Sequence, residues 1–101
     1  MLNKLLTEKY GKKYGDFPAH DGLWEDAIHT KDDLLARLML EHCVNEGRGI
    51  DVTSNRTIPM FEKDDKDAAK ILKEYILPDE VTHVREGLKW FKYVCKETLN
   101  L

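Results

Sequence analysis

One stripe of side chains limits what this chain can fold into. Leu72, Ile76, Glu80, His83, Gly87, Trp90 and Val94 recur at spacings of three and four residues. That is the pattern of a helix facing a core. Five of the seven are residues that a core or a close helix contact accepts. Glu80 and His83, in the middle of the stripe, are not. A carboxylate buried without a partner is costly or takes up a proton. Something must offset Glu80, and a cation is one solution. The i, i+3 spacing places its carboxylate and the His83 imidazole on one face, a turn apart.

The preceding helix offers a matching group. Leu35, Met39, His42 and Glu46 are spaced four, three and four, so Glu46 ends an apolar stripe. Antiparallel packing brings it toward Glu80 and His83. Plain structural readings stand beside this one. Asp79 and Glu80 after Pro78 suit the exposed first turn of a restarted helix. His83 suits a core histidine bonded to a carbonyl, and Glu46 a solvated residue in a fraying last turn. Spacing alone leaves both sets of readings open.

The rest of the chain reads as one all-α domain, residues 1–101, with a weakly ordered segment at 1–15 and a helical core at 16–97. Met1 to Thr7 has the makings of a short helical turn, followed by coil through Gly15. Asp16 and Pro18 predict a helix start, with Leu23, Trp24, Ala27 and Ile28 as its apolar face and a stop near His29. Thr30 and Asp33 read as a capping box for a helix from Lys31 to Glu46, ended by Gly47 and Gly49. Residues 50–65 form a connection in which Ser54 caps one or two turns. The last helix runs from Lys66 to Glu97, and its apolar register across Pro78 predicts one kinked helix rather than two. Sustained period-2 alternation is absent, so no sheet is expected.

Composition narrows the function classes. The net charge of −3, from 16 basic and 19 acidic residues, lacks the basic surplus that a sequence-independent grip on nucleic acid needs. The longest stretch free of Asp, Glu, Lys and Arg is five residues, Thr57 to Phe61, so no membrane span is expected. No apolar stretch follows Met1, so no secretory signal is expected either. Cys43 and Cys95 make neither a disulfide scaffold nor a zinc module. They read as small core residues in a reducing, cytoplasmic setting. Trp24, Trp90, Phe91 and Tyr93 read as core and interface aromatics. His42 reads as a helix-contact residue, His29 as a complement to a helix C-terminus, and Lys63, Lys66 and Lys70 as a solvated face.

Three blocks together resemble a known family: GDFPAHDGLWEDA (residues 15–27), NEGRGIDVT (residues 45–53) and ILPDEVTHVREGLKWFKYVC (residues 76–95). Their order and spacing are similar to those of a ferritin-like family of unknown function. That family is related to di-iron carboxylate proteins, tRNA hydroxylases among them. The last block is the most specific, through Asp79, Glu80, His83, Val84, Gly87, Trp90 and Phe91. Glu46, Arg48, Gly49 and Asp51 match the middle one. The resemblance implies a partial ferritin-like bundle, with Glu46 as the third-helix metal ligand and Glu80 with His83 as the fourth-helix Glu-x-x-His. It assigns no role to His20.

Two departures follow. The earlier helix pair with its own Glu and Glu-x-x-His is missing, so the chain is expected to carry half a bundle and half a ligand set, as a truncated product or fragment would. Pro78 stands two residues before Glu80, where the family has an ordinary helical residue. The resemblance therefore leads to two functions. One is a metal-binding protein, with iron or manganese held by Glu46, Glu80 and His83, and Asp79 orienting the histidine. It becomes a di-iron oxidoreductase if a second chain or a missing helix pair completes the site. The other is a non-catalytic helical remnant that works as an interaction module. Neither the substrate nor the choice of metal is readable.

Overall fold

The computed structural model describes residues 1–100. Helices α1 (Leu2–Tyr10) and α2 (Gly22–His29) are short. Two long helices follow, α3 (residues 34–64) and α4 (residues 66–99), each wound as alternating α-type and π-type turns with helical backbone at every junction. The fold is an all-α bundle, and no strand occurs among the described residues. At 1.5 Å per residue the long helices measure roughly 45–50 Å, and the molecule is 52 × 25 × 19 Å.

A single residue separates the long helices. Asp65 is extended, with φ −155° and ψ 90°. Its amide donates to the Phe61 carbonyl, and its own carbonyl accepts from Ala69 N. Its carboxylate caps α4 by accepting from Ala68 N at 3.2 Å. The same carboxylate accepts from Lys9 Nζ at 2.9 Å and from the Tyr10 hydroxyl. These bonds tie α1 to the elbow, so residues 2–10 form a docked helix where only a short turn was expected. Gly11 ends α1 in the left-handed region, φ 63°, as a C-terminal glycine does.

The core is thin. The buried apolar residues, Ile58, Ala68, Ala69 and Leu72, cluster beside the elbow. Farther along, α3 and α4 approach closely at Gly87. A Cβ there would lie 2.6 Å from His42 Cβ and 3.1 Å from the His42 carbonyl oxygen.

Several expected boundaries are corrected. Helix α2 begins at Gly22 and not at Asp16, because the Asp16 carboxylate folds back to accept from Lys13 N. His20 gains a structural role there, its Nδ1 accepting the Gly22 amide at 3.1 Å. Thr30 takes no part in a capping box. Asp33 caps α3, while the buried Thr30 hydroxyl bonds to the Asp26 carbonyl and to Arg37 Nε. Gly47 and Gly49 do not end α3, and residues 50–64 continue it. Packing against α4 and the elbow outweighs the weak helix propensity of two glycines, a tertiary override of a local cost.

The two prolines within the long helices, Pro59 and Pro78, are absorbed in the same way. The Ile58 amide bonds five residues back to Thr53, directly before Pro59. The Leu77 amide bonds five residues back to Leu72, directly before Pro78. A wider π-type turn accommodates the ring where an α-type turn would crowd the carbonyl four residues earlier. Helical backbone therefore continues through Pro78, one helix rather than two, as the apolar register predicted.

The aromatic residues depart from expectation. Trp24 is 68% exposed and Trp90 49%, Tyr93 is exposed, and only Phe91 is half-buried. Trp90 and Tyr93 pack edge to face at 5.6 Å. The helical stripe is right in direction, but no third layer of the described chain covers its outer end.

Two stability measurements test this packing. Gly47→Ala adds a methyl group in open space and is expected to stabilise by about 0.5–1 kcal/mol. Gly87→Ala meets the α3 backbone and is expected to destabilise by about 1–2 kcal/mol, overpacking outweighing the propensity gain. Urea midpoints check both. A pH series tests the elbow. Lys9 and Tyr10 hold the Asp65 carboxyl at about 2, below its ordinary 3.8. The unfolded chain therefore takes up this proton first as acid is added. The stabilisation is full above about pH 4 and is lost toward pH 2. Asp65→Asn is expected to lower the thermal midpoint at pH 7 and to flatten this limb, seen as the wild-type-minus-variant difference from pH 5 to 2.

Candidate metal centre

The antiparallel register assembles the site. His42 lies against Gly87. Four residues on along α3 is Glu46, and four residues back along α4 is His83. The third member, Glu80, lies one turn further back on α4. One ligand atom from each of Glu46, Glu80 and His83 lies within 4.8 Å of the other two. The residues singled out from spacing and resemblance are thus brought together.

The imidazole is held between carboxylates. His83 Nδ1 is 3.7 Å from Glu46 Oε2 and 3.9 Å from Glu80 Oε1. Its Nε2 is 3.3 Å from Asp79 Oδ2. The Nδ1 distances are too long for hydrogen bonds. They approach the separation of neighbouring ligands around one ion, roughly 3–3.5 Å for bonds of about 2.1 Å. Asp79, one turn before His83, stands where a partner for the second ring nitrogen belongs. His83 is the most open of the three, with its side chain 43% exposed against 27% for Glu46 and 30% for Glu80.

Glu46 bears the electrostatic strain. Its Oε2 is buried and has no hydrogen-bond partner. Burial pushes its carboxyl above the ordinary range, and the Glu80 charge pushes it further. His83 and His42 oppose the shift, while Asp79 adds to it. Burial, with the Glu46 charge beside it, also raises the Cys43 thiol, which disfavours a reactive thiolate there.

Glu46 and Glu80 open on a cleft of about 330 Å³ that Leu23, Glu41, Asn45, Gly49, Thr53 and Ile76 also line. Helix α2 reaches this cleft through Leu23 and is fastened beside it by Asn45 Nδ2, which donates to Asp26 Oδ2 at 2.9 Å. The sequence reading missed Glu41. At 3.6 residues per turn, positions five apart differ by about 140° around a helix. The π-type winding of Leu38–Asn45 brings residues five apart closer to one face. A helical wheel carries no sign of that.

Removing the stranded charge tests the electrostatics. In chelator at pH 7, Glu46→Gln is expected to raise the urea midpoint. The amide keeps the shape and removes the repulsion with Glu80. An unchanged or lower midpoint would mean that Glu46 is already neutralised.

The chain is 40% identical over 87 residues to an uncharacterised protein of Haemophilus influenzae. The match covers 86% of this chain and 30% of that protein, so the chain spans about a third of its relative's length. No solved structure matches the chain. The family described as "Protein of unknown function (DUF455)" matches residues 1–100, and the chain belongs to that family.

Proposed function

We propose that this chain is a metal-binding helical protein of the ferritin-like type, with Glu46, Glu80 and His83 as ligands. One observation carries the reading. Three side chains of ligand type converge within 4.8 Å, and the buried Glu46 Oε2 among them has no hydrogen-bond partner. The donors fit a divalent cation. Two carboxylates and one imidazole suit iron or manganese better than a thiolate-preferring metal. A cation would also offset the burial and repulsion that raise the Glu46 carboxyl.

In this reading Glu46 and Glu80 supply the negative charge and His83 binds through Nδ1. Asp79 accepts the Nε2 proton and so holds the ring in one tautomer and one orientation. An iron pair in such surroundings supplies oxygen-dependent oxidation chemistry. This chain's three ligands are half of the four-helix set. The other half would come from a second copy across a symmetric interface or from a separate helix pair. A non-catalytic interaction module is the second reading, favoured by the exposed apolar residues Leu23, Trp24, Ile28 and Leu34 on and after α2.

Anaerobic Fe(II) loading, desalting and elemental analysis decide between them. At least one iron per chain is expected, with His83→Ala reducing retained iron to background while far-UV circular dichroism stays unchanged. Asp79→Asn is expected to weaken binding by about 10–100-fold. Background iron on the folded wild type would overturn the metal reading and leave the interaction module.

A further inference from the structure

A groove of about 500 Å³ between α3 and α4 shares no lining residue with the metal centre or its cleft. Ile50, Val81 and Leu88 give it apolar surface, and Arg85, Lys89 and Lys92 line it as well. Val81 and Leu88 are 48% and 40% exposed. The three cations recur at spacings of four and three residues, which sets them along one side of α4. Among the described residues, Arg85 and Lys92 make no ion pair, and Lys89 reaches only Glu86, at 4.0 Å.

Helix α2 presents a matching surface. Trp24 and Ile28 are 68% and 46% exposed. They lie one turn apart and share a side with Glu25 and with Asp21 at the helix start. The opposite side is engaged within the chain. Asp26 accepts from Asn45, and the Ala27 carbonyl and Thr30 hydroxyl accept from Arg37. Asp21 and Glu25 make no ion pair among the described residues.

The two surfaces agree in charge and in size. One is an apolar groove edged by three cations. The other is a helix with two exposed apolar side chains edged by two carboxylates. From Val81 to Lys92 the groove follows roughly 17 Å of α4, and the eight residues of α2 span roughly 12 Å. A chain of net charge −3 does not attract polyanions in general. The apolar part of the groove favours a partner that brings apolar surface together with its negative charge. We infer that α2 of one copy of this chain docks in the α3–α4 groove of another. Trp24 and Ile28 then meet Ile50, Val81 and Leu88, while Asp21 and Glu25 face Arg85, Lys89 and Lys92. The contact uses none of Glu46, Glu80 and His83, and the inference does not rest on the metal reading. Its two surfaces differ, so it joins copies head to tail. Exposed ion pairs add little net affinity but fix orientation and speed encounter. Trp24 is therefore the expected anchor.

Sedimentation equilibrium of the full chain in chelator, over a concentration series at low and high salt, is the test. The chelator prevents a metal from bridging copies. The wild type is expected to associate as concentration rises, more strongly at low salt. Two sets of charge reversals follow, Asp21→Lys with Glu25→Lys on α2, and Arg85→Glu with Lys89→Glu in the groove. Each pair is expected to weaken self-association by roughly tenfold or more, because like charges then face each other. Mixing the two variants in equal amounts is expected to restore association, because opposite charges meet again. Far-UV circular dichroism checks that both fold. Trp24→Ala, at an exposed position, serves as the test if they do not, and is expected to stay monomeric over the same range. A wild type that is monomeric at low salt overturns the inference. So does association that survives the reversals or Trp24→Ala, and so do folded reversed variants that mixing does not restore. Iron loading of the wild type reports separately on the metal reading.

Discussion

The carboxylate of Asp65 is the constraint on which the structure depends. One extended residue stops a long helix and starts another. Its backbone closes the last turn of α3 and opens the first of α4, while its side chain caps α4 and receives Lys9 and Tyr10. The side chain is 1% exposed, and both oxygens are used. A buried carboxylate is tolerable on such terms, since each acceptor has a donor and one donor is a cation. With the elbow only one residue long, the two helices have no slack. Each position on α3 then faces a determined position on α4.

That register turns a sequence pattern into a site. The close approach of His42 and Gly87 is the second fixed point, and Glu46 and His83 meet one turn nearer the elbow. A one-residue change in the path of α4 would turn its face by about 100° and carry His83 away from Glu46. Gly87 is therefore a spacing device as much as a packing residue. It lets the backbones come close enough for short side chains to converge from two helices.

How much of this is legible in the sequence depends on whether the signal is local. The i, i+3 relation of Glu80 and His83 is local, and so is the apolar register across Pro78; both are readable from a helical wheel. The convergence of Glu46 needs only antiparallel packing. The failures are equally physical. Gly47 and Gly49 carry the local mark of a helix end, but contacts with α4 and the continuation to Ile58 override it. Thr30 and Asp33 have the spacing of a capping box, yet Thr30 is drawn inward by Arg37, a partner seven residues away. Glu41 was missed because a wheel assumes 3.6 residues per turn, and the winding of Leu38–Asn45 departs from that value. The roles of Lys9 and Tyr10 depend on Asp65, 56 and 55 residues away. No pattern within a single helix reports such partners.

The elbow and the middle of the hairpin are held by opposite means. Near the elbow, Ile58, Ala68, Ala69 and Leu72 are buried and Asp65 is fully partnered. At Glu46 and Glu80 the surroundings are half-buried, and the carboxylates repel across a cleft with little apolar burial to offset them. Local stability should fall along the hairpin from elbow to cleft, because opening free energy follows buried contact. A group that binds the folded cleft and not the unfolded chain would add stability at this weaker stretch, in proportion to the logarithm of its concentration over its dissociation constant. The arrangement thus couples occupancy to order. The elbow is held by its own contacts, whereas at Glu46 the proposed cation would offset the burial and the Glu80 repulsion that raise its carboxyl.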